Sequence, residues 1–453
     1  METQSEDKSV RVPVRDMPVE EDLWQRYKAE RGVWTEPMLA ALEGGMKERK
    51  WYSLSDKVCA DSTLELAWAK VLDNAGACGV DGITVERFAK DIQSRQPVVK
   101  RHLSEGTYQP KPVKRVWIPK PGSAEKRPLG IPTVVDRIVQ TALKMVIEPI
   151  FESCFHPQSY GFRPGRGCKD GLREVWRLLK GGHEHVVEID IRKFFDNISQ
   201  DRLMKLVQER IADKKVLRLI KVFLEQGVME GTELMKSETG TPQGGVISPL
   251  LANIYLDPLD WKMSEAGFKM VRYADDMVVM CRTAEEAQIA LETISGWMEG
   301  NGLALNEEKS HVIDMTQHNS HFDFLGYRFK QTNNGLRKYP RPKSIQKLRQ
   351  TIKPLTRRNS GKSLEEICQI INPILRGWYG YFKQAGRSDL QTIDSWVRGR
   401  LRGILRKRRG GRGRGRGSDH QRWPNRYFTE LGLFSLKSAF ETELASLRNG
   451  ANC

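Results

Sequence analysis

The run Met270-Val271-Arg272-Tyr273-Ala274-Asp275-Asp276-Met277-Val278-Val279-Met280 sets two adjacent carboxylates in the middle of an apolar stretch. Val271, Val278 and Val279 favour strand, and the Ala-Asp-Asp between them is polar and turn-like. The pattern predicts a tight β-hairpin with Asp275 and Asp276 at its tip. Two neighbouring acids repel each other, and an apolar hairpin offers nothing to offset this. A divalent cation would offset it. An acidic surface turn is the competing reading, since Asp is common in turns for backbone reasons alone.

A second stretch weighs toward the cation. His185-Val186-Val187-Glu188-Ile189-Asp190-Ile191 begins as a buried strand and carries Asp190 within its apolar run. A lone carboxylate there is costly unless it is paired or binds a metal. Three carboxylates on two adjacent strands can hold two Mg²⁺ ions. Such a pair, roughly 4 Å apart, stabilises the attacking and leaving oxygens of a phosphoryl displacement. Magnesium takes few carboxylates and completes its shell with substrate phosphates, which suits so sparse a set.

Tyr273-Ala274-Asp275-Asp276 resembles the active-site hairpin of reverse transcriptases. Three further blocks resemble one branch of them, the group II intron-encoded reverse transcriptase/maturases. They are Arg127-Pro128-Leu129-Gly130-Ile131-Pro132, Ser159-Tyr160-Gly161-Phe162-Arg163-Pro164-Gly165 and Thr241-Pro242-Gln243-Gly244-Gly245-Val246-Ile247-Ser248-Pro249-Leu250. The resemblance runs from about Gly76 to the C-terminus, in the family's order and spacing.

The resemblance implies an α+β right-hand polymerase fold. Residues 1–35 read as a polar tail, 36–185 as an N-terminal extension and fingers, and 186–335 as a palm with some finger elements interleaved. Residues 340–400 read as a helical thumb/maturase domain and 401–453 as a basic DNA-binding tail. The implied activity is RNA-directed DNA polymerisation, a nucleotidyl transfer from dNTPs onto a DNA primer along an RNA template. The implied second activity is binding the parent group II intron RNA, a retroelement, and assisting its splicing. Asp190, Asp275 and Asp276 are then the catalytic acids. Asp190 and Asp275, with the carbonyl of Ile191, would hold the two Mg²⁺ ions, and Asp276 is less direct.

Neighbouring residues take roles by the same resemblance. Lys120 and Arg127 are implied as the nucleotide-binding pair, near a strand whose alternation over Val113 to Ile118 predicts one basic face. Phe195 is implied as the aromatic under the incoming sugar, where a flat ring excludes a 2′-hydroxyl; Phe194 reads as core. Gln243 can donate and accept hydrogen bonds, and its flanking glycines let backbone approach a ligand closely. Arg163 and Arg166 fall in a loop of aromatic and guanidinium groups suited to nucleic acid. Lys309 is implied to approach the active site, and Phe322 to Tyr327 resembles the primer grip.

Helical spacing is predicted over Glu36 to Ala75, Thr133 to Phe155, 201–229, Leu250 to Leu259 and Ala284 to Gly300. The chain's Lys+Arg total of 74 exceeds its 57 Asp+Glu, a formal charge of +17 that favours a polyanionic partner. Leu401 to Arg416 holds eight basic residues and no acidic one. Arg406, Arg408, Arg409, Arg412, Arg414 and Arg416 there are expected to order on nucleic acid rather than to form core. No apolar run is long enough to span a bilayer, so no membrane partner is expected. Seven scattered cysteines without a Cys-x-x-Cys pair fit a reducing compartment. The expected setting is a bacterial cytoplasm, at the nucleoid when DNA is bound. The absence of paired cysteines near the C-terminus predicts a chain without the His/Cys endonuclease of many relatives. The pattern assigns no oligomeric state.

Two rival functions share the palm. A non-catalytic splicing cofactor would be expected to lose the costly acids, which are intact here. A reverse transcriptase of another lineage, in phage defence or at a CRISPR locus, would not need the maturase-like stretch from Leu375.

Overall fold

In a computed structural model of the chain, residues 33–43, 50–119, 126–235 and 239–450 are described. They divide between two compact units, one spanning Pro18–Thr316 and the other running from Gln317.

The first unit is built on two sheets. Strands β1 (Val113–Pro119), β2 (Lys126–Ile131), β4 (Val228–Glu230) and β5 (Glu233–Met235) form one sheet in the order β2-β1-β4-β5. The second contains β3 (His185–Ile189), β6 (Lys269–Tyr273), β7 (Asp276–Cys281) and β8 (His311–Asp314), in the order β6-β7-β3-β8 and antiparallel throughout. The helices Cys168–Lys180, Ser248–Glu265 and Ala284–Gly300 pack against this second sheet. Met277 to Cys281 is buried at every position, as expected of a central strand covered on both faces.

Helical segments at Glu36–Glu43, Ser55–Val58, Asp61–Asn74 and Val85–Glu105 precede the first sheet. The Val134–Glu152 helix follows it and is buried on nearly all sides. Its start is fixed by Thr133, whose hydroxyl accepts from the Asp136 N–H at 3.1 Å. The predicted helices at Thr133 to Phe155 and Ala284 to Gly300 are present. The helical reading of 201–229 resolves into Gln200–Gln208 and Lys214–Leu224, followed by β4.

Three expectations need correction. The predicted strand from Val113 exists, but its pleat puts Lys114 and Arg115 on opposite faces, so it has no single basic face. Arg115 instead meets Glu230 at 3.3 Å. The expected palm span of 186–335 crosses the division between the two compact units at Thr316/Gln317. The expected primer-grip residues Phe322 to Tyr327 fall in the second unit, on the hairpin of β9 (His321–Phe324) and β10 (Tyr327–Thr332), to which β11 (Gly335–Pro340) adds. Leu325 and Gly326 both have positive φ, as a two-residue turn matching strand twist requires.

The third correction concerns the second unit's helices. Pro342–Leu355 and Leu364–Phe382 are followed by Arg387–Arg408, which runs straight through the expected boundary at 400/401. Leu390, Ile393, Val397, Leu401 and Ile404 form one buried stripe along it. Phe428, Leu433 and Leu436 from the C-terminal segments complete the same core. Asp394 closes the structure by accepting from Ser435 Oγ and from the N–H groups of Leu436 and Lys437. Residues 401–436 are therefore part of the helical unit.

Candidate active site

The register of β7 brings the acids together. Tyr273 pairs with Asp276 across the hairpin, leaving Ala274 and Asp275 as a two-residue turn. On the other side Ile189 pairs with Met277, so Asp190 lies just past the end of β3, level with that turn. Asp190 is not inside the strand, as the apolar run suggested, but at its mouth.

Asp275 is half-buried and Asp276 exposed. Burial, reinforced by the charge of Asp190, holds the Asp275 carboxyl above the usual carboxylate range; Arg127 and Arg272 pull it down again. Asp190 accepts from Lys309 Nζ at 3.2 Å and from Asn306 Nδ2 at 3.1 Å. Its backbone is tied on both sides, the N–H donating to Ser310 Oγ and the carbonyl accepting from the Asn306 N–H. Ile191 faces Leu305 in an isolated bridge, with the Arg192 N–H donating to the Ala304 carbonyl. Among the described residues no group of three His, Cys, Asp or Glu side chains converges into a ready-made cation cage. Two carboxylates within electrostatic reach of each other do converge, and that sparse oxygen set fits magnesium.

The other predicted groups border this pair. Arg127 is exposed on β2 opposite Ile118, and its charge reaches Asp275. Lys120 lies outside the described residues. Three residues along β2, the Gly130 N–H donates to the Gln243 carbonyl at 2.6 Å, while Gln243 Nε2 approaches Asp196 Oδ1 at 3.4 Å. Gly244 packs so closely that a Cβ would lie 2.2 Å from the Gly130 carbonyl oxygen. Thr241 donates its N–H to the Phe195 carbonyl at 2.8 Å. Phe195 is half-buried and its ring meets Phe194 edge-on, while Phe194 is core as expected. The contacts therefore run in two sets: Arg127 and Asp190 act on Asp275, and the 241–244 loop ties Gly130 to Phe195 and Asp196.

Residues 118–329 match the family described as reverse transcriptase (RNA-dependent DNA polymerase), and residues 345–423 match the maturase-specific domain of group II introns. Protein YkfC of Escherichia coli K12 is 34% identical over 289 residues, which take in 55% of this chain and 75% of YkfC. The chain belongs to the group II intron reverse transcriptase/maturase family. Group II intron-encoded protein LtrA of Lactococcus lactis is 41% identical over 198 residues, 44% of this chain and 32% of LtrA. The match thus spans about a third of that relative's length. Among solved structures, telomerase from Candida albicans overlaps at a TM-score of 0.41 with 14% identity, over 72% of this chain and 64% of that one. The polymerase fold of this family member rests on its family match and its own sheets, not on so loose an overlap.

Within the family's loop at 159–167, one expectation fails. Arg163 is 6% exposed and its guanidinium is fully used. Nε and Nη2 hold Glu152, and Nη1 donates to the carbonyls of His156 and Ser159. It shapes the loop and does not face nucleic acid. Arg166 is half-buried against the Tyr160 ring. Phe162 is the loop's exposed aromatic, with its ring 6.2 Å from that of Tyr273.

The basic run of this family member also divides. Arg406 donates to Asp419 and to the Arg412 carbonyl, and Arg408 to the Lys362 carbonyl. Arg408, Arg409, Arg412, Arg414 and Arg416 are exposed. Arg402 is buried and holds the Trp423 carbonyl, so this arginine is core.

Sequence reasoning missed a buried polar node beneath the Ala274–Asp275 turn, made of Arg272, Asp260 and Asn253. The available signal was Arg272 itself, a charge inside an apolar strand, to which the argument applied to Asp190 extends unchanged.

Proposed function

We propose that the chain is an RNA-directed DNA polymerase that also serves the splicing of its own group II intron RNA. The single observation that supports the first part is Asp190 standing level with the turn that carries Asp275, with the charge of Arg127 reaching it. In this reading the primer 3′-oxygen attacks the α-phosphate of a bound dNTP and pyrophosphate leaves. Asp190 and Asp275, with the Ile191 carbonyl, hold two Mg²⁺ ions, and Asp276 serves from the rim. Bound there, magnesium stabilises charge on the attacking and leaving oxygens. Arg127, with Lys120, neutralises the triphosphate. Lys309 Nζ lies 3.2 Å from the Asp190 oxygen that would face a cation, and would neutralise it in the cation's place. Phe195 lies under the sugar and excludes a 2′-hydroxyl, and the Gln243 loop lines the pocket of the new base pair.

The second part rests on the helical unit and its exposed arginines, which suit a polyanion. Intron RNA is the proposed partner there, with duplex DNA engaged by Arg409, Arg412, Arg414 and Arg416. No helix among the described residues is long and apolar enough to cross a membrane.

The test is primer extension on an RNA template by the parent and by Phe195→Ala. The parent should incorporate dNTPs only. Phe195→Ala should raise the ribo- to deoxynucleotide ratio by about tenfold or more. An unchanged ratio returns Phe195 to the core. No incorporation by the parent removes the polymerase reading.

A further inference from the structure

We infer that Arg272 and Asn253 are positioning residues for the reaction, fixing the Ala274–Asp275 peptide and through it the Asp275 carboxylate. The inference rests on the reading of Asp275 as a catalytic acid.

Arg272 lies in β6 and is 0% exposed. A guanidinium in such a place is costly unless every donor is used, and here each nitrogen is used. Nε donates to both carboxylate oxygens of Asp260, at 2.8 and 2.9 Å, and Nη2 donates to Asp260 as well. Nη1 donates to Asn253 Oδ1 at 2.9 Å and to the Ala274 carbonyl at 3.1 Å. That carbonyl belongs to the peptide joining Ala274 to Asp275. Asn253 and Asp260 stand two turns apart on the Ser248–Glu265 helix and so share a face. One end of the arginine is therefore anchored on a helix, and the other grips the turn that carries the acid.

The turn needs gripping. Ala274 has φ +59°, a region that an L side chain adopts only where its surroundings over-determine it. Those surroundings come from two sides. Arg272 holds the carbonyl side. On the amide side sits Gly161, where a Cβ would lie 2.3 Å from the Ala274 nitrogen. Asn253 Nδ2 donates to the Gly161 carbonyl at 2.8 Å, and the Tyr160 N–H donates to the Arg272 carbonyl at 2.8 Å. Asn253 thus touches both jaws of the clamp. A buried ion pair serving stability alone predicts loss of folded protein when it is disturbed. A clamp predicts loss of turnover in protein that remains folded.

Gly161→Ala and Asn253→Ala separate these outcomes, because neither removes a charge from the buried pair. Gly161 lies outside the left-handed region, so the added methyl acts only by colliding with the turn. Full-length parent, both variants and Asp275→Ala are compared on poly(rA)/oligo(dT) with dTTP, beside thermal unfolding. Backbone scission by Fe²⁺ and ascorbate, with iron replacing Mg²⁺, provides a readout without turnover. Each variant should lose about 100-fold in kcat, as expected of a misplaced reacting group, with KM for dTTP nearly unchanged. The folded fraction should match the parent, and scission beside Asp190 and Asp275 should weaken. The inference is overturned if both variants keep the parent kcat, if lost activity only tracks lost folded protein, or if scission is unchanged. Normal extension by Asp275→Ala would instead sink the site reading, and this inference with it.

Discussion

Arginine is used in opposite ways in the two units. In the first, Arg272 and Arg163 are buried, and their donors are consumed by Asp260, Asn253, Glu152 and backbone carbonyls. In the second, Arg409, Arg412, Arg414 and Arg416 stand exposed after the end of a long helix. In the first set Arg272 holds the Ala274–Asp275 turn and Arg163 holds the 159–167 loop, while the second set leaves its charge at the surface. The difference teaches that a guanidinium's function follows from its burial and partners, not from the local density of basic residues. Arg163 sits in a motif that reads as a nucleic-acid loop and yet is scaffold.

The sharpest separation of the units is catalytic. Asp275→Ala or Asp190→Ala should reduce primer extension by on the order of 1000-fold or more, as removal of the groups that stabilise transition-state charge does. RNA binding measured by filter retention should stay near the parent value. Joint loss of both activities would break the division of labour.

Burial predicts the next effect. Arg272→Met strands the Asp260 carboxylate, and breaking one side of a buried pair costs about 3–5 kcal/mol. Arg414→Ala, at an exposed site, should stay within about 0.5 kcal/mol. Denaturant unfolding of both variants reads this directly, and equal costs would erase the distinction between the two kinds of arginine.

The exposed set should show itself in salt dependence. Each phosphate contact on duplex DNA contributes about 0.9 to the slope of log affinity against log salt. Neutralising Arg409, Arg412, Arg414 and Arg416 should flatten that slope by roughly 2–3 units if most of them touch phosphate. Parallel lines for parent and variant would make the run a solvated connector.

The smallest expected effect is a pH dependence confined to the first unit. Burial, aided by Asp260, raises the Asp257 carboxyl to about 7 from an ordinary 3.8, while Asp257 accepts from the His156 N–H at 2.9 Å. A folded value above the unfolded one means stability that is full below pH 3.8 and is lost as pH rises through about 7. Asp257→Asn keeps the acceptor and removes the titration. Between pH 5 and 7 the parent should lose about 1–2 kcal/mol relative to this variant, allowing for partial exposure. Thermal unfolding across that range decides it, and parallel curves would show that Asp257 titrates normally.

Much of this is legible in the sequence. The hairpin at Asp275, the strand from Val113, the 284–300 helix and the core role of Phe194 all follow from periodicity and residue type. What stayed hidden depends on contacts between distant segments. Asp260 and Asn253 look like ordinary polar residues on a helix until β6 brings Arg272 against them. Glu152 and Arg163 likewise pair only after the loop folds back. The boundary at 400 failed for a different reason. Leu401 and Ile404 continue the stripe of Leu390, Ile393 and Val397 at helical spacing, but they are outnumbered by arginines that mask the period in the composition.

That uninterrupted helix has a consequence for how the protein is made. During synthesis the N-terminal domain generally folds first. Thr316 leaves the ribosome long before Leu436, so the first unit can be complete while the helical one cannot close. Until Phe428, Leu433 and Leu436 emerge, the apolar stripe of Arg387–Arg408 lacks their part of its cover, and Asp394 lacks the Leu436 and Lys437 N–H groups it accepts from. A ribosome stalled in this interval would display a finished first unit and a helix with part of its apolar stripe uncovered. Such a nascent chain is a natural client for a chaperone that binds apolar helical faces, and for a protease if the wait is long.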